Sequence, residues 1–289
     1  MLPRLFLLLL LALTSLLPSR ATAQAPPLAG RVQAASGQPV AFATVGVKGK
    51  AIGTTADATG RFAFAPPPTL TAADSVIISC VGFRSLRLTV AQLQRPGAVW
   101  TLQPMSQELQ EVHVRHAQLK PGFIGCRSTF SPLQWTTDSA ADVRDVRGWE
   151  LATMVPVRKN SFVDSFRVYF AHNEFRSLRL RFLLYDVQHG KPDRLLVNDD
   201  IQFLVPNQRT GWVGLDLRRY NLYLTKGQTV AAGIQWLQGE KATPKSQRLS
   251  GPVLLPTLIN RTLIRQKSQA AWEKYAGNVS MYLAVQQYE

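Results

Sequence analysis

Apolar and polar positions alternate with a period of two along much of the chain, the pattern of half-buried strands. Leu28 to Val32 reads as a first strand. A turn at Ser36-Gly37-Gln38-Pro39 follows, then an alternating run over Ala41 to Val47. Asp57 and Gly60 form a turn signal just ahead of Arg61 to Phe64. Ser75 to Cys80 is a continuous apolar strand, Val99 to Leu102 the next, and Gln110 to Val114 the last of seven short strands in this part. Farther on, Phe166, Val168 and Phe170 alternate. Leu178, Leu180 and Phe182 interleave with Arg179 and Arg181, giving one apolar and one cationic face on a single strand. A turn at His189-Gly190-Lys191-Pro192 leads to strands at Ile201 to Val205, Gly211 to Leu217, Tyr220 to Leu224, Thr229 to Trp236 and Met281 to Val285. Helical periodicity is nearly absent, so the expected class is all-β, with two domains.

The amino terminus departs from this pattern. Arg4, the run Leu5 to Leu13 and the small residues Ala21-Thr22-Ala23 predict a secretory signal peptide over 1–23, cleaved after Ala23, with Ala25 the alternative. The apolar run is too short to span a bilayer, and Ser15, Pro18 and Arg20 interrupt it. No cysteine lies near the cleavage site to accept a lipid, and no later segment has the length and apolarity of a transmembrane span. The chain is therefore expected to be exported, to the periplasm, the outer membrane's surface or the medium.

Four blocks in the first part resemble the carboxypeptidase-regulatory-like domain. They are Gly30-Arg31-Val32 with Gly37 to Val40 and Ala43 to Val45; Thr54 to Phe62; Ser79-Cys80-Val81-Gly82-Phe83; and Leu109 to Val114. The resemblance implies a transthyretin-like β-sandwich over 28–115. It also implies a non-catalytic accessory module of the kind common in exported proteins of Bacteroidetes-type bacteria. Cys80 departs from the pattern where an aromatic residue is usual, and Phe83 where tyrosine is. Polar residues with Pro121 and Gly122 predict a linker at 116–125. Residues 126–289 are then expected to form a second, jelly-roll-like β-sandwich of about eight strands. Tyr185-Asp186-Val187, Gly190-Lys191-Pro192, Gly211-Trp212 and Asp216-Leu217 with Tyr220-Asn221 resemble a module of exported proteins from the same bacteria.

Composition narrows the classes further. The 289 residues are 46% hydrophobic, which excludes general disorder. Lys and Arg outnumber Asp and Glu by 33 to 18, a net charge of +15, and loss of the leader leaves +13. Residues 24–115 carry +4 of this and residues 116–289 carry +9. With export expected, the expected anionic partner is an envelope polymer and not a nucleic acid. The two cysteines, Cys80 and Cys126, exclude a disulfide-dense scaffold and any four-cysteine metal site. Because they lie in different expected domains, separate thiols are favoured over a bridge.

Catalytic motifs are not apparent. None of His113, His116, His172 and His189 has Glu three residues later, as a zinc carboxypeptidase pattern requires, and no Gly-x-Ser-x-Gly elbow occurs. Strand spacing puts His113 and His116 on opposite faces. Asp199-Asp200 beside Asn198 reads as a turn ahead of a calcium site or a catalytic pair, and Asp216 as a strand-edge residue hydrogen bonding a loop. No cofactor or metal is therefore expected. Of six tryptophans, Trp212 and Trp236 are the best placed to stack on a sugar, although aromatic residues in such folds more often fill the core. Arg179 and Arg181 with Arg176 form a cationic strand face, extended by Arg158-Lys159, Arg218-Arg219 and Arg261/Arg265. The expected ligand-contacting residues are thus Trp212, Trp236, Arg179 and Arg181. The expected role is a non-enzymatic envelope accessory that binds a glycan, an anionic envelope polymer or another envelope protein. The alternatives are a hydrolase (a peptidase or glycosidase) with an unfamiliar site in 126–289, or a structural piece of an envelope assembly.

Overall fold

The computed structural model describes residues 26–105, 118–137, 146–245, 248–254 and 260–288. The leader, the strand expected at Gln110 to Val114, His113 and His116 lie outside the described residues. The chain is all-β, a transthyretin-like sandwich followed by a larger jelly-roll-like one.

In the first sandwich, Leu28–Ala34 lies between Arg61–Phe64 and Val99–Leu102. The opposing sheet runs Gly53–Thr55, Thr44–Val47, Ser75–Ser79, Leu86–Thr89. Val32, Phe62 and Leu102 from one sheet meet Val45, Val76 and Ile78 from the other in a shared core. The Asp57 turn is built by one carboxylate oxygen, Oδ1, which accepts from the Thr59 amide and hydroxyl and from the Arg61 amide. Gly60 closes it at φ +76°, where a Cβ would lie 2.3 Å from the Val32 carbonyl oxygen. A one-turn helix, Val90–Leu93, starts with a capping box between Thr89 and Gln92.

The second sandwich begins earlier than expected. Lys120–Gly125, inside the expected 116–125 linker, is a strand paired with Met281–Tyr288. Pro121 and Gly122 read as breakers, but the strand lies at a sheet edge, where proline's missing N–H breaks no ladder. Its sheet runs Gly211–Asp216, Asn160–Phe170, Met281–Tyr288, Lys120–Gly125, with Tyr223–Leu224 added to Asn160–Phe170. Facing it is a seven-stranded sheet centred on Phe175–Gln188, Thr229–Lys241, Glu150–Pro156 and Asn260–Arg265. The alternations come together between the sheets: Phe166, Val168 and Phe170 pack against Leu178, Leu180 and Phe182, with the Phe166 and Phe182 rings 4.9 Å apart. His189 and Gly190 both have positive φ, the conformation of a two-residue hairpin turn between Gln188 and Lys191. Cys80 and Cys126 are both free thiols.

Candidate functional site

Four neighbouring strands of the seven-stranded sheet place one polar residue each in a single row. Arg181 is opposite Gln235, Gln235 opposite Glu150, and Glu150 opposite Arg265. Arg181 Nη1 donates to Gln235 Oε1 (2.6 Å), and Gln235 Nε2 donates to Glu150 Oε1 (2.7 Å). Glu150 Oε2 also accepts from the Tyr185 hydroxyl and pairs with Arg265 at 2.7 Å. At the far end of the row, Arg181 pairs with both carboxylate oxygens of Asp200. Asp200, expected first as a turn residue, is therefore the counter-ion of a buried arginine.

The first domain covers this row. Arg181 is 1% exposed, and its Nη2 donates to the Phe42 carbonyl (3.1 Å) and contacts Cys80 Sγ at 3.8 Å. Phe42 has φ 55°, the left-handed region, which costs a residue with a Cβ about 1–2 kcal/mol. That backbone geometry aims its carbonyl at the guanidinium. The half-buried Arg179 lies over the Phe42 ring, 5.3 Å from its centre. A cleft of about 510 Å³ beside the row is lined by Cys80, Gly82, Glu150, Tyr185, Arg194 and Gln269, among others.

The electrostatics of this junction are those of a closed, paired cluster. Burial alone would lower the Arg181 pKa, but Asp200 more than offsets it, and the charge is held. Glu150 does the same for Arg265 against its burial. Burial, reinforced by Glu150, raises the Tyr185 phenol, and burial pushes the Cys80 thiol up to about 11. The phenol stays protonated as a donor, and the thiol is not a ready nucleophile. The cationic face expected at Arg179 and Arg181 is thus corrected: it is a domain joint, because the first domain docks on the face that alternation alone assigns to solvent.

The two tryptophans part company. Trp236 is 1% exposed in the core, edge-on to Phe175 at 4.8 Å, so it offers no surface to a ligand. Trp212 lies half-exposed on the outer face of the other sheet, directly opposite Tyr169. Its ring is 5.4 Å from Tyr169 and 5.0 Å from Tyr282, both edge-on. Tyr282 in turn meets Phe123, which is 49% exposed, and Arg127 lies over both of those rings. Arg167, exposed, is the cross-strand partner of Tyr282. A second group, Phe162, Tyr223 and Tyr288, forms at the other end of the same strands, with the tyrosine hydroxyls 2.7 Å apart. At ~3.3 Å per residue, Phe162 and Tyr169 place the two groups about 20 Å apart. Asp164, hydrogen bonded by Gln286, lies between them. Rigid strands thus carry a long aromatic face with cations at one end. Sequence reasoning found Trp212 but missed Tyr169, Tyr282 and Phe123, which only the strand register brings to it.

Of the remaining cations, Arg218 is tied to Asp216 and Arg219 to the Tyr220 hydroxyl, and Arg158, Lys159 and Arg261 line one opening. His172 Nδ1 is 3.1 Å from Ser250 Oγ, but Ser250 is fully buried and its hydroxyl is 2.8 Å from Gln134 Oε1. Among the described residues no group of three His, Cys, Asp or Glu side chains is placed to hold a metal ion. Among them, too, no helix is long and apolar enough to cross a membrane.

Comparison with known proteins bears on the first sandwich. Residues 28–114 match the family described as the CarboxypepD_reg-like domain. Among solved structures, the chain has 11% identity and a TM-score of 0.34 to the cysteine protease and lectin-like domains of Cwp84, a surface layer associated protein of Clostridium difficile. That match covers 48% of this chain and 32% of the other, a likeness too slight to bear on fold or function. No curated protein matches the chain.

Proposed function

We propose that the chain is an exported, non-catalytic accessory protein of the cell envelope whose second sandwich binds an extended glycan. The observation that carries this reading is the outer face of the five-stranded sheet. Half-exposed rings at both ends and polar groups between them suit a polymer of stacked, hydroxylated rings. Strand positions hold the rings in place, so little side-chain order has to be gained on binding. The CarboxypepD_reg-like domain fits an accessory role and, through the Arg181 joint, holds the second sandwich from behind. Export rests on Arg4, the leucine run and Ala21 to Ala23. The hydrolase alternative has less support, since Ser250 is enclosed and the junction carboxylates are paired with arginines.

A polysaccharide array probed with the chain from residue 24 onward tests the reading. Retention of a polysaccharide above a charge-matched control protein, surviving moderate salt, is the expected result. Absence of any such retention, or loss of all signal at moderate salt, overturns it.

A further inference from the structure

The Asn160–Phe170 strand carries a β-bulge in the middle of the aromatic face. Its ladder with Met281–Tyr288 slips between Val163 and Ser165, which leaves Asp164 as the extra residue. A bulge re-aims the side chains beside it. Here the buried Val163 and Phe166 bracket two consecutive polar residues, Asp164 and Ser165, which are both half-buried on the outer side. The Leu217 amide donates to the Asp164 carbonyl (2.8 Å) and so anchors the bulge. Asp164 Oδ2 accepts from Gln286 Nε2 at 2.7 Å. Asp164 Oδ1, Gln286 Oε1 and the Ser165 hydroxyl have no hydrogen-bond partner among the described residues. The carboxylate has no arginine of its own, because Arg218, within its electrostatic reach, is held by both oxygens of Asp216. On the outer side of Met281–Tyr288 the order is Tyr282, Ala284, Gln286, Tyr288, so the polar centre lies between the two ring groups. The small Ala284, opposite Ser165, keeps the floor of this stretch low.

We infer that Asp164 and Gln286 are the specificity-determining pair of this face, and that they select a sugar with two adjacent free hydroxyls and no acid group at that position. One hydroxyl donates to Asp164 Oδ1. Its neighbour accepts from the second N–H of Gln286 Nε2 or donates to Oε1, and the Ser165 hydroxyl completes the set. The hydrogen bond between the two side chains fixes their spacing before a ligand arrives, so little order has to be gained on binding. A carboxylate without a cation favours hydroxyl donors and repels a carboxylate or sulfate. A site built to hydrogen-bond hydroxyls rejects an analogue that lacks them. The rings then supply affinity and the polar centre supplies discrimination. This selectivity rests on the glycan reading of the same face.

Affinity electrophoresis of the chain from residue 24 onward tests it, in gels containing a soluble glucan, xylan or mannan, each native and O-methylated. Methylation keeps the ring faces and removes the hydroxyl donors. At least one native polysaccharide should be retained, and its O-methylated form should be held at least about tenfold more weakly. Asp164→Asn should weaken retention of the native form by about tenfold, the value of a hydrogen bond to a charged group, and Gln286→Leu by about fivefold. Neither should further weaken the O-methylated form, a pattern that a merely misfolded variant does not give. Gln286 lies outside the bulge, so its variant keeps the test open if Asp164→Asn lowers the thermal transition. Trp212→Ala should weaken the native and O-methylated forms alike. Equal retention of the two forms, or native retention unchanged in both polar variants, overturns the selectivity and leaves the glycan reading standing. Retention of no native polysaccharide overturns the glycan reading, and the selectivity with it.

Discussion

Replacing Arg181 with methionine removes the central group of the domain joint while keeping most of its volume. The guanidinium donates twice to Asp200, once to Gln235 and once to the Phe42 carbonyl. All of these acceptors lose a donor together, and the Asp200 carboxylate, its side chain only 25% exposed, loses its arginine. Removing one partner of a buried ion pair costs about 3–5 kcal/mol. For a domain of this size that corresponds to a fall in Tm of roughly 10 °C. The loss has a signature beyond its size. Arg181 is the second domain's hold on Phe42 and Cys80, so Arg181→Met should split one thermal transition into two, one per domain, in scanning calorimetry. Adding Asp200→Leu should recover part of the stability, since the unpaired charge goes, but should not rejoin the transitions. An Arg181→Met protein that unfolds in one step, within about 1 kcal/mol of the parent, would show that the domains are not held by this network.

Three further outcomes follow from the same structure. Trp236→Ala should cost about 3–5 kcal/mol in urea unfolding because it empties a core position, while Trp212→Ala should change stability little. The Cys80 thiol, pushed up to about 11 by burial, should resist alkylation at pH 8 in the folded protein and react fully once urea is added; modification of the native thiol would contradict the closed joint. Hydrogen bonds from Arg218 hold the Asp216 carboxyl at about 2, below its ordinary 3.8. Its contribution is therefore present above pH 3.8 and lost as the pH falls toward 2, so Asp216→Asn should flatten the acid loss of stability in that window. An unchanged slope of urea midpoint against pH would count against the Arg218 contact.

How much of this was legible in the sequence depends on range. Alternation at Phe166 to Phe170 and at Leu178 to Phe182 names the core faces correctly, because strand period is a local property. The capping box at Thr89 and Gln92 was equally local, and the Thr-x-x-Gln spacing was a usable signal for the short helix. The role of Arg181 was not local, since its partner Phe42 lies 139 residues away and a docked domain looks the same as solvent to a periodicity argument. Trp212 could be picked out as a large amphipathic side chain, but its neighbours Tyr169, Tyr282 and Phe123 come from three other strands. The linker was misplaced for a different reason. Pro121 and Gly122 break most strands, and only the edge position of Lys120–Gly125 makes them tolerable.

The central claim is that a glycan binds across the aromatic face. It is tested most directly by comparing polysaccharide affinity, at fixed ionic strength, between the full chain and its Trp212→Ala/Tyr282→Ala variant. A nucleic-acid base stacked on an aromatic side chain contributes on the order of 1–3 kcal/mol; taking the lower end of that range for a sugar ring, two lost rings should weaken binding by at least tenfold while the fold stays intact. Equal affinity in the two proteins would place any ligand elsewhere and contradict the account.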